Sequence, residues 1–510
     1  MSLNSMTVFS GGATKRETRT EIPMGEKHKT KESLKKEAFQ FIDRNSGEIA
    51  KIGDAVFYFA ELGMQEFQTS EYTADALRKA GFTVESGIAG IPPAWMATWG
   101  AGKPVIGVHC EGDALPNCSQ VPGVAEEKPI IEGGAPGHEE GHNTNMAVMI
   151  GGAVAAKNVM EHEGVQGTIK VYFAPAEEQG IPRPYFLRDG YFDGLDAIFH
   201  PHVMDEFSAP YGILQYAIIS VEFIFHGKSA HSAIAPWSAK NALDAVTLMD
   251  VGWGLMRQQL EPSQSSHRVI LNGGDQPNVI PSHTKAWWFF RDKNMDLAYA
   301  HFEKAKKIAE GAALMTGCTY EANIVSVCWP NRANRVMAEI LQRNMELVGM
   351  PQWSEEEETL AREVQKKNQL PVIGLQKEIT PLTEATQITA GNDSGCVAWR
   401  IPTGQLHFPA NIPGCSFHKW PAGVALATTI AHKGEVHGAK VLAGSMIDLF
   451  MDEKLVDRAN QVFQEEIGDS HYFSIIPDGQ SPPIDLNREV MEKWRPLMKE
   501  FYKTEKVTWR

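Results

Sequence analysis

Residues 168–178 read Thr-Ile-Lys-Val-Tyr-Phe-Ala-Pro-Ala-Glu-Glu, an apolar β-type run that ends in two adjacent carboxylates. A helical pattern over 146–160 precedes this strand, another helix is expected near 185–189, and 196–199 has the composition of a further short strand. Strands that alternate with helices in this way are typical of a mainly parallel sheet covered by helices. The sequence therefore predicts an α/β fold with two carboxylates at one strand end.

The pattern of elements changes after residue 205. The predicted strands and helices then follow the order β-α-β-β-α-β, at 216–225, 239–258, 267–271, 284–291, 297–316 and 318–327. This order is typical of a compact ferredoxin-like α+β unit, which we place at 210–328. Because helices and short strands resume afterwards, we predict one α/β domain, formed by 37–209 and 329–510, that this smaller domain interrupts.

Size, charge and cysteine content exclude several classes of protein. A chain of 510 residues that is 43% hydrophobic can form two or more domains, and its net charge of −15 argues against a nucleic-acid partner. No stretch approaches the roughly 18 apolar residues of a membrane helix.

Residues 1–36 are basic but lack the apolar run of a secretory signal, so we expect a mobile arm. The six cysteines contain no Cys-x-x-Cys pair, which favours a reducing cytoplasm.

Two later segments have a simple structural interpretation. Residues 355–358 are four consecutive glutamates, and such a run of like charges usually forms a solvated face. Residues 370–391 lack periodicity, and we expect a long loop there.

Histidines and carboxylates cluster in four segments of the predicted α/β domain. These are 109–113 (His-Cys-Glu-Gly-Asp), 137–143 (Gly-His-Glu-Glu-Gly-His-Asn), 174–178 (Ala-Pro-Ala-Glu-Glu) and 200–202 (His-Pro-His). Three of them directly follow predicted strands, and the carboxyl ends of parallel strands converge on one crevice. Zinc and manganese are held by such side chains. Of the adjacent Glu177 and Glu178, one can bind metal while the other accepts a proton from an activated water.

These segments belong to an ordered series of motifs. The series is Glu111-x-Asp113-Ala-Leu-Pro, Gly137-His-x-x-Gly-His142-Asn143, Pro175-Ala-Glu177-Glu178, His202, Ala230-His231-Ser, Pro277-Asn278-Val and Phe417-His418-x-Trp420. Over about 41–449 the chain resembles the aminoacylase/carboxypeptidase metallopeptidase family. Within that family it looks most like the amidohydrolase subfamily that contains the B subunit of p-aminobenzoyl-glutamate hydrolase. The resemblance implies a catalytic domain with a two-metal site and a smaller lid domain through which two chains dimerise.

The resemblance also implies roles for individual residues. The implied metal ligands are Glu140, His142, Glu178, His202 and His418. Glu177 would be the general base and acid, and Asp113 would support the site. His231 would reach from the lid into the active site of the partner chain and stabilise the oxyanion, with Asn278 nearby. Arg291 matches a lid arginine position that holds a substrate carboxylate; a surface ion pair is the alternative for this residue.

One position departs from the subfamily pattern His-x-Cys-Gly-His, because Glu140 stands where the ligand cysteine is expected. A carboxylate is a harder ligand than a thiolate, favours Mn²⁺, Co²⁺ or Zn²⁺, and can bridge two ions. Glu111 stands where other branches carry a ligand histidine and is a weaker candidate ligand. The residues expected to have supporting or structural roles are His138, His200, His407 and Cys415.

The resemblance thus implies a cytoplasmic, homodimeric, metal-dependent amidohydrolase. Its expected substrate is an N-acyl or aroyl amino acid of the p-aminobenzoyl-glutamate kind, or a related small amide. Two divalent ions per chain, Zn or Mn with Co as a further option, would activate the attacking water together with Glu177. The alternatives are a hydrolytic deaminase of an aromatic amine at the same site, a catalytically silent subunit, and a chain that acts only with a related partner subunit.

Overall fold

A computed structural model describes residues 29–510. The helices in this range alternate with strands in the first half of the chain and dominate its last hundred residues. They are α1 Lys31–Arg44, α2 Ser46–Phe59, α3 Phe67–Lys79, α4 His142–Glu163, α5 Pro182–Arg188, α6 Ala242–Met256, α7 Met295–Thr316, α8 Arg335–Val348, α9 Glu355–Lys367, α10 Ser394–Ala398, α11 Trp420–Gly423, α12 Thr429–Phe450, α13 Glu453–Ile467 and α14 Arg488–Met498.

The strands of the same range form two main sheets and one short pair. They are β1 Thr83–Ser86, β2 Trp95–Ala101, β3 Val105–Cys110, β4 Gly167–Phe173, β5 Ala197–Met204, β6 Gly212–Ile213, β7 Ala217–His226, β8 Ser265–Asn272, β9 His283–Asp292, β10 Thr319–Cys328, β11 Arg332–Ala333 and β12 Thr403–Pro409.

The first sheet has the strand order β1-β2-β4-β3-β5-β12. Strands β4, β3, β5 and β12 run parallel, whereas β1 and β2 are antiparallel to their neighbours. The residues of β3 and β5 are almost all buried, as expected for a sheet that helices cover on both faces. This confirms the predicted mainly parallel α/β fold and brings the carboxyl ends of four strands to one edge.

Helix α4 is buried along most of its length, and its first residue is His142. Small residues allow close packing against α12, since a Cβ on Gly152 would lie 2.7 Å from Leu442 Cδ2. Directly before the helix, Gly141 has a φ of 122°, and a Cβ there would lie 2.8 Å from Val203. Glycine allows this turn because it has no side chain, so the turn places His142 beside the end of β5.

The second domain is an antiparallel sheet of order β10-β7-β9-β8, against which α6 and α7 pack. Its chain order, β7-α6-β8-β9-α7-β10, confirms the predicted ferredoxin-like insertion. The short strands β6 and β11 pair with each other where the chain enters and leaves this domain. We use the name lid for residues 217–328.

The predicted N-terminal arm, 1–36, is too long. Residues 1–28 lie outside the described residues. Helix α1 begins at Lys31, and its Leu34 is only 2% exposed. The arm prediction is therefore wrong for residues 31–36, because this segment is helical and its Leu34 already belongs to the core.

The four-glutamate run, predicted as a solvated face, forms the first turn of α9 and is half buried. Glu357 and Ser354 form a capping box, and Glu357 also pairs with Lys433 at 2.7 Å. Glu358 pairs with Lys377 at 3.1 Å. Carboxylates are stabilised at a helix N-terminus by the free backbone N–H groups, which explains their place in the fold.

Residues 370–391 contain no helix or extended strand, as predicted. This loop runs alongside residues 207–216, joined to them by bonds that include Thr380 N to Phe207 O and Tyr216 N to Ala390 O. Within residues 29–510, the search for a helix long and apolar enough to cross a membrane finds none.

Candidate metal centre

Side chains from four strand ends meet at one edge of the parallel sheet. Asp113 follows β3, Glu177 and Glu178 follow β4, and His202 lies near the end of β5. Helix α4 adds His142 as its first residue. The loops before α4 and after β12 supply the remaining two implied ligands, Glu140 and His418. The structure thus brings together all five implied ligands, the implied base and its supporting aspartate.

Glu140 lies at the centre of this cluster. Its carboxylate oxygens are 2.7 Å from His418 Nε2, 3.4 Å from His202 Nε2 and 3.8 Å from His142 Nε2. His418 Nε2 is also 3.4 Å from Glu178 Oε2. Three groups of donor atoms, each within 4.8 Å of one another, can hold a metal ion: Glu111, His142 and His202; Glu140, Glu178 and His418; His142, Glu177 and Glu178.

Two of the three histidines are oriented by bonds on their far sides. His142 Nδ1 lies 3.1 Å from Asp113 Oδ1, and His202 Nδ1 lies 2.9 Å from Val203 O. Each ring therefore directs Nε2 into the cluster, as metal-binding histidines do. Among the described residues, His142 Nε2 and Glu178 Oε1 are buried without a hydrogen-bond partner. Unpaired buried nitrogen and oxygen donors that face one point fit a divalent ion such as Zn²⁺ or Mn²⁺.

Asp113 connects two of the implied ligands. One of its oxygens faces His142 Nδ1, and the other accepts a hydrogen bond from the backbone N–H of Glu178 at 3.0 Å. Asp113 is itself 1% exposed. It therefore holds His142 and the backbone of Glu178 next to each other.

The carboxylates of the cluster have strongly shifted pKa values. Burial, reinforced by Glu178, raises the pKa of Glu177 well above its ordinary range. Burial and the nearby Glu140 raise the pKa of Glu178 to about 7. Burial opposes ionisation of Glu140 too, but hydrogen bonds from the three neighbouring histidines lower its pKa below the ordinary range. Concentrated negative charge of this kind is balanced when cations bind.

A buried arginine that sequence reasoning missed lies behind the cluster. Arg183, in α5, is fully buried and pairs with both Glu111 and Asp393. Its Nε also donates to His109 Nδ1 at 2.8 Å. A lone arginine in the apolar segment Ile-Pro-Arg-Pro-Tyr-Phe-Leu was the only signal in the sequence.

Glu111, the weaker candidate ligand, already has several donors. Its oxygens accept bonds from Asn145 at 3.0 Å, from His200 at 3.0 Å and from Arg183. The nearest implied ligand, His202, has its Nε2 3.8 Å away. In this arrangement Glu111 is the partner of Arg183 and His200.

The two lid residues of the implied site lie outside this cluster. His231 and Asn278 are both exposed and lie side by side, because Ser232 N bonds Asn278 O at 3.0 Å and His231 bridges to Val279. Neither lines the cavity above the cluster within the same chain.

A cavity of about 610 Å³ opens over the cluster and is bordered by both domains. Arg291, at the end of β9, lines its wall. The guanidinium donates to Thr389 O at 3.3 Å and lies 5.4 Å from the centre of the Phe289 ring. It forms no ion pair with any residue in 29–510, so the structure gives no support to the alternative of a surface ion pair.

The parallel-sheet domain, the cluster at its strand ends and the inserted ferredoxin-like domain together define the class of a two-domain metallohydrolase. Comparisons with known proteins agree. Residues 213–314 match the peptidase dimerisation domain of M20 proteins. The chain is 31% identical over 479 residues to the B subunit of p-aminobenzoyl-glutamate hydrolase from Escherichia coli strain K12, covering 88% of this chain and 99% of that protein.

Two further proteins, one compared by sequence and one by structure, are similar to this chain. Hippurate hydrolase of Campylobacter jejuni is 25% identical over 279 residues, covering 52% of this chain and 70% of the relative. The crystal structure of the aminobenzoyl-glutamate utilization protein from Klebsiella pneumoniae covers 80% of this chain and 97% of its own, with a TM-score of 0.57 at 16% identity. The chain belongs to the M20 family of metallopeptidases. It is a metal-dependent hydrolase of amide bonds, as the sequence predicted.

Proposed function

We propose that the chain is a two-metal amidohydrolase that cleaves N-acyl or aroyl amino acids, including compounds of the p-aminobenzoyl-glutamate kind. The observation that carries the proposal is the convergence of five nitrogen and oxygen donors around Glu140. Its carboxylate faces all three histidines and would hold the metal together with them. The ligands in the proposal are Glu140, His142, Glu178, His202 and His418, and the ions are Zn²⁺ or Mn²⁺, with Co²⁺ as a further option.

The bound ions would polarise the amide carbonyl and lower the pKa of the attacking water. Glu177 then takes the proton from this water. Its carboxylate is buried, lies 3.7 Å from His142 Nε2 and has no side-chain hydrogen bond within the described residues, so it is free to transfer a proton. Glu177 returns that proton to the nitrogen of the departing amine, while Asp113 keeps His142 and Glu178 in place.

The cavity supports a substrate with a carboxylate on its amine side. Arg291 provides a guanidinium without an ion-pair partner in residues 29–510, in the same cavity as Glu177 and Glu178. A guanidinium binds a carboxylate through two parallel hydrogen bonds. The relatives named for p-aminobenzoyl-glutamate and hippurate hydrolysis support the same substrate class.

A homodimer formed through the lid belongs to the proposal. The match to a peptidase dimerisation domain supports it, as do Ile234 and Trp237, which are 69% and 82% exposed close to His231. In such a dimer His231 would donate a hydrogen bond to the oxyanion in the partner's site, with Asn278 beside it. A related partner subunit is the alternative assembly, since the E. coli relative is named as a subunit.

The six free cysteines support a reducing, cytoplasmic compartment.

The substrate class can be tested with the purified chain loaded in turn with Zn²⁺, Mn²⁺ and Co²⁺. The assay offers p-aminobenzoyl-glutamate, hippurate and N-acetyl amino acids, and measures both the free amino acid and ammonia. We expect release of the free amino acid. Release of ammonia without an amino acid would instead indicate the deaminase, and no turnover with any metal would contradict the proposal.

The role of Glu177 predicts a separation of metal binding from turnover. Glu177→Gln should retain the metal content of the wild type, because it removes the proton acceptor and keeps the proposed ligands. Turnover should fall by about 10²- to 10⁴-fold. Glu127→Gln, a change at an exposed carboxylate, is the control and should leave both unchanged. Activity of Glu177→Gln near that of the control would exclude Glu177 as the base.

A further inference from the structure

A carboxylate outside the proposed ligand set also lines the cavity. Glu206 lies four residues after His202 and lines the cavity together with His407. Its side chain is 38% exposed, and its nearest ionisable neighbour is His407, whose Nδ1 is 3.8 Å from Oε1. Within residues 29–510, no lysine or arginine pairs with Glu206.

Two hydroxyl groups hold the Glu206 carboxylate in position. Ser208 Oγ donates to Oε1 at 2.7 Å, and Thr380 Oγ1 donates to Oε2 at 3.3 Å. The neighbouring His407, together with the hydrogen bond from Ser208, lowers the pKa of Glu206 to about 2. A carboxylate has about four acceptor positions, so this one retains free acceptors on its cavity side.

Glu206 and Arg291 lie at opposite ends of one wall. The loop from Thr380 to Ala390 runs beside residues 207–216 in the same direction. At its first end Thr380 bonds Glu206, and at its other end Thr389 O accepts a bond from Arg291.

Each end of this wall adjoins a different proposed metal ligand. His407 pairs in register with His202 across β12 and β5, which places the Glu206 end next to His202. At the Arg291 end, Ser326 lines the cavity and donates to Gln179 O, which adjoins Glu178. A substrate that crosses the metal centre from Arg291 therefore extends its acyl group toward Glu206.

We propose that Glu206, held by Ser208 and Thr380, binds an amino group on the acyl part of the substrate. This inference rests on the proposed function. It narrows the proposed substrates to amides that carry a carboxylate on the amine side and an amino group on the acyl side. An N–H donor satisfies the free acceptors of Glu206. An acyl group without an N–H donor displaces water from the Glu206 carboxylate and forms no hydrogen bond with it. This difference in hydrogen bonding is the source of selectivity.

The test compares two probes that differ only in the amino group, p-aminobenzoyl-glutamate and benzoyl-glutamate. With the metal-loaded wild type, kcat/KM should be about 10- to 100-fold higher for the amino compound, as expected for a hydrogen bond to a charged group. In Glu206→Ala the preference should fall to about one, through loss on the amino compound alone. Glu206→Gln, which keeps an acceptor for Ser208, should show an intermediate preference.

The control is Glu378→Gln, at an exposed carboxylate of the same loop that does not line the cavity. It should keep the wild-type preference. An equal loss on both probes in Glu206→Ala and Glu206→Gln would show a structural role and overturn the proposal, and so would an unchanged preference.

Calorimetric binding of both probes to the metal-loaded protein separates this inference from the proposed function. If the wild type hydrolyses neither probe and none of the other amides in the substrate assay, the proposed function fails. The ratio of the two dissociation constants, in wild type and Glu206→Ala, then still decides whether Glu206 recognises the amino group. A ratio near one in the wild type would overturn the inference.

Discussion

At the residue scale, Arg183 neutralises the buried carboxylates behind the metal centre. It pairs with Glu111 and Asp393, and all three side chains are fully buried. A buried ion pair contributes little net stability compared with apolar residues, but the loss of one partner leaves an uncompensated buried charge. We therefore expect the intact network to set the shape of the site rather than to add net stability to the folded protein.

Arg183→Met should destabilise the protein by about 3–5 kcal/mol, because two buried carboxylates lose their cation. The measurement is the midpoint of urea unfolding in the presence of a chelator. Arg488→Met is the matched control, since its partner Asp485 is exposed and an exposed pair contributes less than about 1 kcal/mol. Equal midpoints for the two variants would contradict the account of Arg183.

The sequence located the donor residues and Asp113 but missed the buried arginine behind them. Glu177 and Glu178 were predictable because they follow an apolar strand, and His202 because it lies near the end of another; parallel strands end at one edge. Arg183 was not, because Glu111 and Asp393 are 72 and 210 residues away along the chain and nothing local identifies them as partners. The role of Glu206 was hidden for the same reason, since Thr380 is 174 residues away.

At the element scale, helix α3 begins on a buried carboxylate. Glu61 is 0% exposed and accepts hydrogen bonds from the backbone N–H groups of Gln68 and Thr69 at 2.9 and 3.0 Å. Burial outweighs these bonds and raises the pKa of Glu61 to about 7. A raised pKa means that the folded protein binds this proton more tightly than the unfolded chain. Its contribution to stability is complete below about pH 4.5 and is lost as the pH rises through 7.

Glu61→Gln removes this titration and keeps an acceptor oxygen for α3. Between pH 4.5 and 8, the wild type should lose roughly 3 kcal/mol more stability than the variant, on the order of 1.4 kcal/mol for each unit of pKa shift. Urea unfolding at several pH values with a chelator present measures the difference. Glu85→Gln, at an exposed carboxylate, should follow the wild-type curve. Parallel curves for wild type and Glu61→Gln would contradict the raised pKa.

Most elements were predictable from local patterns, and the exceptions have physical causes. The order of strands and helices in both domains follows from apolar periodicity. The run 355–358 was misinterpreted because charge alone does not reveal a helix N-terminus, where Ser354 and the free N–H groups stabilise Glu357. The predicted arm failed at Lys31 because its basic residues concealed the apolar face of α1.

At the scale of the whole molecule, the proposal takes one residue of the site, His231, from a second chain. His231 lies on the exposed surface of the lid, outside the cavity of its own chain. The sequence predicted a lid, but no pattern in one chain states which surface of a second chain it meets.

A mixing experiment tests this shared site. His231→Ala and Glu177→Gln homodimers should each be inactive. Reassociated at equal amounts, they should recover about a quarter of wild-type activity, because half of the dimers are mixed and each mixed dimer has one intact site. Absence of recovery in mixed dimers, verified by native mass spectrometry, would contradict a shared site.

The central claim is that Glu140, in place of a cysteine, is a working metal ligand at the centre of the site. Metal content per chain, measured by mass spectrometry of the purified protein after dialysis against Zn²⁺ or Mn²⁺, tests it most directly. We expect about two equivalents in the wild type and in the control Glu127→Gln, and about one or fewer in Glu140→Ala. A wild type that retains no metal, or a Glu140→Ala variant that retains two equivalents, would contradict the account.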